Sequence, residues 1–152
     1  MKKYESYLNS PFKLQGVESR QYVQKADEKL WVDPETSEMY SVKKLPKSKE
    51  TLSDTMTYTK LFVDNRELFM KLSGTGLKVL VYAMCTIRPL SNTVVINPPD
   101  ILVETGMTSP NSVRNAIAEL IEAGVIAQKL GSNIEFWVNP NIFFNGNRLR
   151  LL

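Results

Sequence analysis

Two short helix signals joined by a glycine turn lie between residues 97 and 124, and they constrain the fold more than any other feature. Pro98 follows an asparagine in a typical helix start, and Gly106 supplies the left-handed residue that ends this first helix. Pro110 follows a serine in the same way, and we expect the second helix to span 110–123 and to end at Gly124. The pattern predicts two short helices held at a steep angle by a tight turn.

The flanking segments predict a helix and a strand before this pair and a β-hairpin after it. Residues 75–87 have apolar side chains on nearly every side of a helix, with one face formed by Leu77, Leu80, Val81 and Met84. A short strand is predicted over 93–97. Residues 125–130 and 134–139 predict the hairpin, in which Gly131 and Asn133 can take positive φ. This element order is typical of a winged helix-turn-helix, so the predicted fold class is α+β.

The chain is predicted to divide near residue 57. Residues 1–57 comprise an arm without a sustained period, which we expect to become ordered only on a partner, a β-hairpin over 29–34 and 39–44, and a basic connector. The connector lies within residues 41–60, which contain five lysines and only two acidic residues. Residues 58–152 form the predicted winged-helix domain.

Composition excludes several classes of function. The chain has no histidine and a single cysteine. A Ser-His-Asp triad, a Cys-His pair and a zinc finger are therefore excluded, because the residues that they require are missing. No phosphate-loop spacing is present either. We therefore expect no enzyme, no metal and no cofactor. The longest apolar run, 79–85, is too short to span a bilayer, so we expect no membrane partner and a cytoplasmic location.

The exposed side of the second helix carries side chains suited to DNA. Asn111, Arg114 and Asn115 are predicted to contact base edges, because amide and guanidinium groups pair bidentately with adenine and guanine. Hydroxyl groups at the helix start and polar residues on the hairpin would contact the backbone. These further candidates are Ser109, Ser112, Lys129 and Asn133. Glu119 and Glu122 would repel phosphate, so only the first turns are expected to enter the groove.

The same residues permit other interpretations. Asn111 and Ser112 also suit an ordinary helix start, and Arg114 suits a solvated surface. Winged helices also serve as protein-docking modules. Residues 61–152 carry eight basic and seven acidic side chains, which is little net charge for a DNA-binding domain. The connector would then supply positive charge from outside these residues, and Arg148 and Arg150, two of the eight, would supply it at the C-terminal end.

The segments 71–84, 116–129 and 136–148 have features in common with a known family. The last segment contains an Asn-Pro-x-x-Phe-Phe-x-Gly motif, formed by Asn139, Pro140, Phe143, Phe144 and Gly146. With these features about residues 58–150 resemble the RepL-like replication proteins of plasmids and bacteriophages, in which this motif follows the hairpin.

The resemblance implies a factor that binds double-stranded DNA at an origin, recruits host replication proteins and has no catalytic centre. Its setting would be the cytoplasm of a bacterial host, and a homodimer would match symmetric half-sites. A transcriptional regulator and a structural or protein-docking phage component remain alternatives.

Overall fold

The computed structural model describes residues 3–18 and 56–152 and the backbone of residues 28–32 and 39–43. These residues form an α+β protein, as predicted. One compact unit comprises Met1–Val17 and Thr57–Leu152, and the other comprises Glu18–Met56. The strands are β1 (Ser6–Tyr7), β2 (Glu28–Val32), β3 (Met39–Lys43), β4 (Lys60–Leu61), β5 (Thr93–Val95), β6 (Ile126–Lys129), β7 (Glu135–Val138) and β8 (Phe143–Phe144). The helices are α1 (Arg66–Lys71), α2 (Gly74–Thr86), α3 (Pro98–Thr105) and α4 (Pro110–Glu122).

The smaller unit contains the N-terminal hairpin that the sequence predicts. Strands β2 and β3 pair antiparallel, with Glu28 opposite Lys43 and Val32 opposite Met39. The predicted loop between the two strands, residues 35–38, and most of the basic connector lie outside the described residues.

The larger unit is built on a four-stranded sheet in the order β1-β6-β7-β5. Strands β6 and β7 form the predicted hairpin, with Ile126 opposite Val138, and β5 pairs antiparallel with the outer side of β7. Strand β4 pairs separately with β8. The described helices are too short or too polar to cross a membrane.

The N-terminal segment differs from the expectation of an arm that waits for a partner. Ser6 and Tyr7 form β1, which pairs in parallel with the free edge of β6. The carbonyl oxygen of Tyr7 accepts hydrogen bonds from the Leu130 amide and the Trp137 indole, both at 2.9 Å. An unpaired strand edge offers a row of backbone donors and acceptors, which explains why this short segment is held without apolar periodicity.

Helix α2 begins and ends one residue earlier than predicted, and the structure shows which of its two apolar sides is buried. The buried residues are Gly76, Val79, Leu80 and Ala83. Leu77 and Val81 are exposed, Val81 by 56%. Small residues on the buried face let α2 approach α4 closely, and this packing decides between two sides that are both apolar in the sequence.

The turn between α3 and α4 follows the predicted punctuation. Gly106 ends α3 with φ 68°, and Gly124 follows α4 with φ 73°. Helix α4 ends one residue earlier than predicted, and its buried residues are Val113, Ala116, Ile117 and Leu120. In the hairpin turn Gly131 has a positive φ, of 84°, whereas Asn133, which could also have taken one, does not. Ser132 builds this turn instead, since its Oγ accepts hydrogen bonds from two following backbone amides.

Candidate nucleic-acid interface

A groove of about 1040 Å³ runs between the outward side of α4 and the β6-β7 hairpin, with β1 at its margin. It brings together residues that are far apart in the sequence. Those assigned to DNA contacts from the sequence and found in its lining are Asn111, Arg114, Asn115, Lys129 and Asn133. The two serines assigned to the helix start, Ser109 and Ser112, are partly buried and do not line it.

The first turns of α4 present polar groups to this groove. Asn111, Arg114 and Asn115 are exposed, while Val113 between them is fully buried. Arg114 Nη1 donates a hydrogen bond to Asn111 Oδ1 at 3.3 Å. The pair therefore holds a guanidinium and an amide side by side on the solvent side of the helix. Ser109 precedes α4 as its N-cap residue, but its side chain makes no capping hydrogen bond.

The hairpin side of the groove contributes a lysine whose charge is already balanced. Lys129 Nζ lies 2.9 Å from Glu135 Oε1 and 5.3 Å from the centre of the Trp137 ring. The hydrogen bond from Lys129 is the main reason that the pKa of the Glu135 carboxyl is lowered, and a hydrogen bond from Thr93 acts in the same direction. A phosphate contact by Lys129 therefore competes with an existing ion pair.

The two carboxylates near the end of α4 have different surroundings. Glu122 lines the groove, and the Tyr4 hydroxyl donates a hydrogen bond to its Oε1 at 3.0 Å. Glu119 instead lies against the start of α2, where it accepts hydrogen bonds from the backbone amide and the hydroxyl of Ser73, both at 2.6 Å. Of the two carboxylates expected to repel phosphate, Glu119 is thus engaged outside the groove.

Arg148, one of the C-terminal basic residues expected to add charge, is engaged within the fold. Its Nη2 donates to the Gln15 carbonyl oxygen and its Nη1 to Asn141 Oδ1, both at 2.9 Å. The guanidinium also lies 4.5 Å from the centre of the Phe62 ring. Arg148 thus fixes the N-terminal segment to the domain.

Three groove residues on the N-terminal segment have no role in the sequence analysis: Lys3, Tyr4 and Ser6. Their segment has no helical or alternating pattern, so nothing local indicates that it joins the sheet. The one usable signal is the free edge that the predicted hairpin leaves on its first strand.

A second cavity of the described residues, of about 940 Å³, lies between the segment of α1 and the end of α4, and its lining includes Glu67, Lys71 and Glu119. Within residues 3–18 and 56–152, no three histidine, cysteine, aspartate or glutamate side chains come together as a metal site. Comparison with known protein families, curated proteins and solved structures finds no match for this chain.

Proposed function

We propose that the larger unit is a winged helix that binds double-stranded DNA sequence-specifically through this groove. The observation that carries the proposal is the convergence of Asn111, Arg114 and Asn115 with the turn of the β6-β7 hairpin. The order α2, β5, α3, α4, β6, β7 and the pairing of β5 with β7 support the winged-helix assignment.

In this proposal the first turns of α4 enter a major groove, which is about 12 Å wide. Arg114 pairs with a guanine edge and Asn115 with an adenine edge. Each good bidentate pair contributes about 1 to 3 kcal/mol of discrimination between bases. The hairpin turn, with the exposed Asn133 at its tip, contacts the flanking backbone. The helix start at Ser109 and Ser112 fixes the register on phosphate.

We further propose that the chain acts without catalysis as a replication initiator of a plasmid or bacteriophage. The resemblance of residues 58–150 to RepL-like proteins supports this role, and host replication proteins and a second copy of the chain are its expected partners. A transcriptional regulator would use the same groove. A plasmid that carries the chain and its recognised site as the sole origin separates the two, because only an initiator sustains its replication.

Arg114→Ala tests the DNA-binding proposal, with Arg88→Ala as a matched control because Arg88 is exposed and does not line the groove. Affinity is measured on a duplex selected from a random-sequence pool and on an unselected mixed-sequence duplex. Loss of a bidentate contact worth about 1 to 3 kcal/mol lowers affinity for the selected duplex by roughly 5- to 150-fold. The unselected duplex is affected much less. Equal losses on both duplexes contradict a base-recognition role.

A protein-docking module is a second candidate, and the composition of the groove favours it. Apolar side chains of Ile117, Ile121 and Ile134 line the groove, and Lys129 is neutralised by Glu135. Such a module binds its partner at high salt and loses binding when apolar residues are replaced. Measurement of affinity for duplex DNA at increasing salt concentration separates the two functions, because phosphate contacts weaken steeply as salt rises.

A further inference from the structure

We propose that β1 forms a third wall of the DNA groove and that Lys3 contacts a phosphate from this wall. The inference rests on the proposed DNA binding, and it adds a residue and a strand that the winged-helix elements themselves do not contain. It is carried by the placement of the N-terminal segment, by the charges along the groove and by the length of α4.

The N-terminal segment is held against the hairpin by contacts that fix its direction. Ser6 lies opposite Gln128 and Tyr7 opposite Lys129 in a parallel pairing. Residues before Ser6 therefore run back toward the start of β6, which follows the end of α4. The hydrogen bond from the Tyr4 hydroxyl to Glu122 agrees with this direction. Lys3, Tyr4 and Ser6 all line the groove, so the segment closes the side next to the end of α4.

Lys3 adds a positive charge to the groove, on the side formed by the N-terminal segment. The basic residues among those lining the groove are Lys3, Arg114 and Lys129, and Lys129 is paired with Glu135. Lys3 is exposed and forms no ion pair with any residue that the structure describes. Lys3 and Arg114 are therefore the cations of this groove whose charge is available to a ligand.

The spacing of these two cations suits a duplex. Arg114 lies in the second turn of α4, and Tyr4 places the segment of Lys3 beside Glu122, eight residues further along the helix. At about 1.5 Å per residue this is roughly 12 Å along the axis. The major groove is about 8.5 Å deep, so a helix that enters it by its first turns, with Arg114 on the bases, brings its other end to the level of the phosphates. Lys3 lies at that end beside Glu122, and the carboxylate of Glu122 accepts the hydrogen bond from Tyr4.

Lys3→Ala and Lys3→Glu test the inference, with Lys13→Ala as the matched control. Lys13 is an exposed lysine of the same segment that does not line the groove. Affinity for the selected and the mixed-sequence duplexes is measured across a salt series. Loss of one phosphate contact is expected to reduce the slope of log affinity against log salt by about 0.9 on both duplexes. Lys3→Glu should weaken binding further, and Lys13→Ala should leave the slope unchanged.

The outcomes separate this inference from the proposed function. A wild-type chain that binds neither duplex overturns both. If the wild type binds and Arg114→Ala abolishes the preference for the selected duplex, DNA binding stands. In that case a Lys3→Ala slope equal to those of the wild type and Lys13→Ala overturns the role of β1. A loss confined to the selected duplex also overturns it, because a phosphate contact does not depend on base sequence.

Discussion

The contact between Gly76 and Glu119 predicts that Gly76→Ala destabilises the wild-type protein but stabilises a variant in which Glu119 is alanine. Glu119 on α4 accepts two hydrogen bonds of 2.6 Å from Ser73, the N-cap residue of α2. Gly76 lies directly beneath this carboxylate. A Cβ at residue 76 would lie 2.8 Å from Glu119 Oε2, which is closer than packed atoms tolerate. Gly76→Ala therefore requires the flexible end of the Glu119 side chain to shift, and we expect this shift to break its hydrogen bonds to Ser73.

Two opposing effects determine how much Gly76→Ala changes the free energy of unfolding. Hydrogen bonds to a charged group contribute about 1.5 to 3 kcal/mol each when well buried, and Glu119 is partly exposed, so we expect about 2 to 3 kcal/mol for the pair. Alanine stabilises a helix relative to glycine by up to about 1 kcal/mol. Gly76→Ala is therefore expected to destabilise the wild type by about 1 to 2 kcal/mol. In a Glu119→Ala background the clash is absent, and the same change should stabilise the fold by up to about 1 kcal/mol.

Urea denaturation of the wild type, both single variants and the double variant gives the four free energies of unfolding that this cycle needs. The expected coupling energy between residues 76 and 119 is about 2 to 3 kcal/mol. Gly74→Ala is the matched control, because a Cβ at that residue of the same helix meets no atom within 4 Å. If Gly76→Ala has the same effect in both backgrounds, the carboxylate does not hold α2 to α4 in the way described.

The remaining predictions concern the ion pair on the hairpin and the anchoring of the N-terminal segment. Glu135→Gln should free Lys129 to contact a phosphate, so log DNA affinity should fall more steeply with log salt, by about 0.9 in slope. Lys129→Ala should change the steepness little, because the lysine is already paired with Glu135 in the wild type. One salt titration measures both variants. Because the Glu135 carboxyl has a lowered pKa, the stability from this pair is complete above its ordinary value of 4.5 and is lost as pH falls through the folded-state value. Unfolding free energies at decreasing pH should therefore fall less steeply for Glu135→Gln. Asn141→Ala removes an acceptor of the Gln15 amide and a donor to the Lys13 carbonyl, so hydrogen exchange at Gln15 should become faster while the centre of α4 is unaffected.

Local signals in the sequence determined the boundaries of the helix pair and the hairpin. Proline at a helix start and glycine at positive φ act within a few residues, so Pro98, Gly106, Pro110 and Gly124 could be interpreted without knowing the rest of the fold. Helical spacing also placed Asn111 on the solvent side of α4. These parts of the candidate site were predictable because each depends on neighbouring residues alone.

Tertiary structure decided the parts that depend on residues distant in the chain. The buried face of α2 was ambiguous from its apolar spacing, and packing against α4 selected the side that carries Gly76. Strand β1 exists because β6 offers it an edge more than a hundred residues later, and Lys129 is neutralised by a neighbour across the hairpin. Hydrogen bonds and ion pairs between distant residues leave no periodicity in a sequence. The charge that the groove presents to a ligand was therefore fixed only when the chain had folded.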